Sequence, residues 1–116
     1  MKNVEDIYPL SPIQEGMLFH TLKEPGSGVY IEQYRCLLKG DLNPTLFREA
    51  WESIVERHSV LRTAFLWDGL DKPLQVVRQK VILDWIDHDF EKLSESEYSQ
   101  WLKTYLTDDL SKGFEL

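Results

Sequence analysis

The feature that most constrains this chain is a change of hydrophobic period between Asn43 and Val77. Leu46, Phe47, Ala50, Trp51, Ile54 and Val55 recur at helical spacing, with Asn43 placed as N-cap and Pro44 behind it, so a helix is predicted to about His58. From Leu61 to Trp67 the pattern turns strand-like, Asp68-Gly69 through Pro73 reads as a turn, and Leu74 to Val77 supplies a partner strand. A helix followed by a hairpin points to an α+β fold in which helices cover one side of a sheet.

The flanking sequence extends that pattern. Leu10-Ser11-Pro12-Ile13-Gln14 is a helix start, with Ser11 as N-cap, Pro12 at the first helical position and Gln14 completing a capping box. The helix should run to about Leu22, its apolar side against the body of the domain, until Pro25-Gly26-Ser27-Gly28 breaks it. Val29 to Leu38 is rich in β-branched and aromatic residues, apolar on both faces, and is predicted to be an interior strand. Val81 to Ile86 is a further strand candidate. Ser94 and Glu97 form a second capping box ahead of Tyr98, Trp101, Leu102, Tyr105 and Leu106, a last amphipathic helix. The predicted order is helix, strand, helix, hairpin, strand, helix, with no repeat or internal linker.

At 116 residues and 42% hydrophobic composition, the chain suits one small domain or part of a larger one. Thirteen basic against twenty acidic residues give a net charge of −7, which repels phosphate backbones and anionic membranes and argues against nucleic acid as a partner. The acidity is concentrated from Ile82 onward, where a solvated helix face accounts for it. No apolar run approaches the ~20 residues that span a bilayer, and Met1-Lys2-Asn3-Val4 leads into Glu5-Asp6, unlike a signal peptide. The single Cys36 makes no internal disulfide, in keeping with a reducing compartment, and the expected location is the cytoplasm.

A self-sufficient active site is not visible. Gly26 and Gly28 fit neither a dinucleotide fingerprint nor a phosphate loop, so no directly bound cofactor is indicated. Asp87-His88-Asp89 is the nearest thing to a metal cluster, but on a strand His88 would point away from both carboxylates. His20 and His58 stand near helix ends, where capping or packing accounts for them. Arg62 is different. On a strand from Leu61 to Trp67 it shares a face with Ala64 and Leu66. Two readings stand side by side: an edge arginine with its head in water, or a covered one that requires a carboxylate or several carbonyls, with residues such as Asp84 and Asp87 as candidates within the chain.

Two segments, Ile7 to Leu22 (IYPLSPIQEGMLFHTL) and Arg57 to Phe65 (RHSVLRTAF), with VYIEQYRCLLKGDL and LFREAWESIVERH between them, resemble the opening motifs of nonribosomal peptide synthetase condensation domains. The motif residues are Ser11, Pro12, Gln14, Gly16 and Met17 in the first, and Arg57, His58, Leu61, Arg62, Thr63 and Phe65 in the second. The resemblance implies part of a chloramphenicol-acetyltransferase-like lobe, a two-layer sandwich with helices on a mostly antiparallel or mixed sheet. It also implies amide-bond formation between thioesters tethered to phosphopantetheine on carrier proteins, with the carriers, the remainder of the domain and neighbouring synthetase domains as partners.

The family's catalytic signature, His-His-x-x-x-Asp-Gly, does not occur in these residues. By the resemblance, residues 1–116 are the start of the N-terminal lobe, truncated before that signature, and hold no catalytic residue. Arg62 would support the catalytic loop through its aspartate. Sheet edges and apolar surface would be left uncovered, which favours self-association or pairing with a complementary piece. Alternatives from the same residues are a non-catalytic remnant that binds a carrier or linker, and an epimerisation or heterocyclisation relative.

Overall fold

The computed structural model describes residues 2–114 and 116. Among the described residues three helices and a three-stranded antiparallel sheet confirm an α+β fold, in the order β1 (Val4–Pro9), α1 (Pro12–Lys23), α2 (Pro44–Arg57), β2 (Thr63–Leu66), β3 (Leu74–Arg78) and α3 (Glu95–Lys112). A 3₁₀ turn, Ser59–Arg62, joins α2 to β2. The chain forms two compact units: residues 2–15, 36–85 and 116 in the first, 16–35 and 86–114 in the second.

The first unit is built around β3, which lies between β1 and β2. Thr63 to Leu66 pairs with Val77 to Leu74, the hairpin expected from the sequence, with Gly69 supplying a positive φ in its connection. β1 was not foreseen. It pairs with the other edge of β3, from Val4 opposite Arg78 to Pro9 opposite Leu74, with a bulge between Val4 and Asp6. Val76, Val77, Leu10 and Val55 form the buried core of this unit. The α2 N-cap is as predicted: Asn43 Oδ1 accepts from Leu46 N at 3.1 Å with Pro44 at the first helical position. The capping box of α1 is complete, Ser11 Oγ accepting from Gln14 N at 3.2 Å and Gln14 Oε1 from Ser11 N at 2.8 Å.

In the second unit α3 starts at Ser94, whose Oγ accepts from Glu97 N at 3.2 Å. It stops at Gly113, with φ 59° and ψ −152°, a region open in practice only to glycine. A Cβ there would also come within 2.9 Å of Ile31 Cδ1. Phe90, Tyr98, Trp101, Tyr105 and His88 form one ring cluster, with centroids 4.5 Å apart for Phe90 and Trp101 and 4.8 Å for His88 and Trp101. His88 is thus engaged by aromatic rings.

Two predicted strands are absent. Neither 29–38 nor 81–86 is assigned to a strand, and the interior position expected for the first is wrong. Their apolar side chains stay open, Tyr34 at 93%, Leu37 at 79% and Ile82 at 97% exposure. β propensity expresses packing against neighbours, and without a neighbouring strand it has nothing to act on. α1 likewise buries Leu18 alone, leaving Ile13 and Phe19 exposed, so its expected apolar packing is realised at one residue. Both outer strands present an open edge among the described residues. No helix in those residues is long and apolar enough to cross a membrane.

Candidate functional site

Arg62 is the last residue of the 3₁₀ turn and precedes β2, so it does not share a strand face with Ala64 and Leu66 as expected. Its side chain lies between the last turn of α2 and the Arg78 end of the sheet, and 7% of the residue is exposed. Nε donates to the carbonyl of Val55 at 3.1 Å, in the last turn of α2 where carbonyls lack helical partners. Nη1 donates to Glu5 Oε2 at 2.6 Å and to the carbonyl of Arg78. The water-exposed reading of Arg62 is therefore overturned.

The acidic partner is also corrected. It is Glu5, in place of the candidates Asp84 and Asp87. Glu5 stands at the bulge in β1, the extra residue between Val4, opposite Arg78, and Asp6, opposite Val77. A bulge re-aims a side chain that regular pairing would send elsewhere, and here it brings a carboxylate to the guanidinium. Nη2 makes no hydrogen bond to the described residues, while every buried side-chain nitrogen and oxygen there has a partner. Nη2 therefore retains contact with solvent.

Both motif segments are fastened to β3. In the first, Gln14 pairs its amide with that of Gln75, Gln75 Nε2 donating to Gln14 Oε1 at 3.1 Å and to the carbonyl of Pro9 at 3.0 Å. In the second, Phe65 lies opposite Gln75 in the β2–β3 ladder, Thr63 is opposite Val77, and Arg62 reaches Arg78. Gln75, 7% exposed, was missed by sequence reasoning; a lone amide within Leu74-Gln75-Val76-Val77 was the available signal.

The other motif residues are structural or exposed. Pro12 opens α1, Met17 lends its carbonyl to Thr21 Oγ1 at 2.8 Å, and a Cβ on Gly16 would meet nothing within 4 Å. Arg57 ends α2 on the surface, and His58 caps it through its backbone N–H to Ile54 at 3.0 Å. Leu61 is half exposed, and Thr63 Oγ1 donates to the carbonyl of Ser59 at 2.9 Å. His20 contacts the rings of Phe19 and Tyr30. Among the described residues no cluster of three metal-ligating side chains occurs.

This chain belongs to the condensation domain family, whose family model matches residues 4–116. It is 45% identical over 113 residues to one of the linear gramicidin synthase proteins of Brevibacillus parabrevis, covering 97% of this chain and 2% of that protein. Another protein of the same synthase is 39% identical over 116 residues, covering 100% and 2%. Surfactin synthase subunit 3 of Bacillus subtilis strain 168 is 38% identical over 113 residues, covering 97% and 9%. The chain thus spans between 2% and 9% of the length of these relatives.

Proposed function

We propose that this chain is the opening part of the N-terminal lobe of a condensation domain in a cytoplasmic peptide synthetase, ahead of the His-His-x-x-x-Asp-Gly motif. The domain joins two thioesters carried on phosphopantetheine arms of carrier proteins. The acceptor amine attacks the donor thioester carbonyl, the C–N bond forms as the C–S bond breaks, and the amine's proton leaves with the released thiol. The role of these residues is to build the scaffold on which that motif is held. The match over residues 4–116 carries the reading.

The site supports a specific task for Arg62. A guanidinium held at Nε and Nη1, with Nη2 unpaired among the described residues and in contact with solvent, is suited to receive one more carboxylate. The aspartate of the downstream motif is the proposed donor of that carboxylate. Holding both tethered substrates together supplies much of the rate, up to roughly 7–11 kcal/mol, and a displaced loop forfeits part of it.

The test is a graft in which residues 4–116 replace the matching segment of the linear gramicidin synthase protein that is 45% identical to this chain. The graft should retain product formation in the reconstituted synthase, and the 116-residue chain alone should form no amide. A folded graft without condensation, or an active isolated chain, would refute the reading.

A further inference from the structure

We propose that Glu5 is a positioning residue: from the bulge in β1 its carboxylate fixes the rotation of the Arg62 guanidinium, so that Nη2 is the amino group left for a second carboxylate. The functional part of this inference rests on the reading given under Proposed function.

The geometry separates Glu5 from the other partners of Arg62. Val55 and Arg78 contribute backbone carbonyls, which any residue supplies at those positions. Glu5 contributes the one side chain, and the one opposite charge, on the guanidinium among the described residues. It is placed by an irregularity in the ladder. In a regular β1, successive side chains alternate between faces, and the residue at position 5 would stand across from a residue of β3. The bulge leaves it without an opposite residue and bends the strand, which allows the 2.6 Å contact.

Without that contact Nη1 keeps one acceptor, the Arg78 carbonyl, and the two amino groups become closer to equivalent. Rotation about the Nε–Cζ bond, which exchanges Nη1 with Nη2, is then less hindered, and which nitrogen meets an incoming carboxylate is no longer set in advance. Asp6 offers an internal comparison, because its carboxylate accepts from Ile7 N at 2.8 Å and forms no ion pair with Arg62.

The experiment follows the Arg62 guanidinium by ¹⁵N nuclear magnetic resonance in the full 116-residue chain. In the unsubstituted chain Nη1 and Nη2 should give separate signals. Glu5→Gln, which keeps an acceptor but removes the charge, should speed their interconversion by about threefold, since a weaker neutral hydrogen bond remains in place of the charge-assisted one. Glu5→Ala should speed it further, and Asp6→Asn should leave it unchanged. Unaltered Arg62 signals in both Glu5 variants, or an equal response to Asp6→Asn, would overturn the proposal.

Failure of the underlying functional reading looks different. It would appear as an inactive graft while the Glu5-dependent signals persist. For the graft itself, Glu5→Ala should lower kcat by about tenfold at unchanged KM, the size of one misdirected contact. It should add nothing when Arg62→Ala is already present. An equal loss in both backgrounds would show that Glu5 does not act through Arg62 and would overturn its positioning role.

Discussion

Replacing Arg62 by alanine should destabilise the first unit by roughly 2.5–5 kcal/mol, through loss of a buried guanidinium held by two carbonyls and one carboxylate. The range comes from the individual contacts. The buried bond from Nε to the Val55 carbonyl is charge-assisted and contributes about 1.5–3 kcal/mol, and the part-buried bond to the Arg78 carbonyl about 1. The pair with Glu5 adds at most about 1 kcal/mol, because the Glu5 side chain is 51% exposed and returns to water when its partner is lost. Native-state hydrogen exchange at the amides of Val76 and Val77, the centre of the sheet, is the suitable assay. Their protection should fall by roughly two to four orders of magnitude, at about 1.4 kcal/mol per tenfold. Glu5→Ala should cost about 1 kcal/mol by the same assay. A loss below tenfold for Arg62→Ala, or equal losses for the two variants, would refute this account of the site.

Gln75→Ala leaves the Pro9 carbonyl and the Gln14 amide without their shared partner, and should lower the thermal midpoint through a loss of about 1–2 kcal/mol. A midpoint within experimental error of the unsubstituted chain would show that the amide pair is dispensable. Gly113→Ala should cost about 1–3 kcal/mol at the end of α3, from its glycine-only backbone angles and the close approach of Ile31 Cδ1. Faster amide exchange confined to the last turn of α3 would report it, and Ile31→Val should not restore the backbone part.

The elements legible in the sequence are those with local causes. Asn43-Pro44, Ser11 with Gln14, and Ser94 each mark a helix start, because a capping side chain reaches only three residues along the chain. The hairpin was legible for the same reason, through its turn residues. β1 was not, since its burial pattern is almost wholly exposed and its pairing with β3 spans most of the first unit. The segments around Tyr34 and Ile82 have strand composition but no strand, because a strand needs a ladder partner and composition alone cannot supply one. At the site, the rule that a covered guanidinium requires a carboxylate or several carbonyls matches the partners found on Arg62. It could not name Glu5, 57 residues away and brought into place by a bulge that no local pattern announces.

We propose that Arg62 both ties α2, β1 and β3 together and offers a contact to the reaction loop. The most direct measurement compares steady-state condensation by the graft of residues 4–116 with that of its Arg62→Ala variant, both shown to be folded. A loss of about 100-fold in kcat with KM for the carriers unchanged is expected, the scale on which a small displacement of a remote support reaches the chemistry. Equal kcat in the two grafts would contradict the claim.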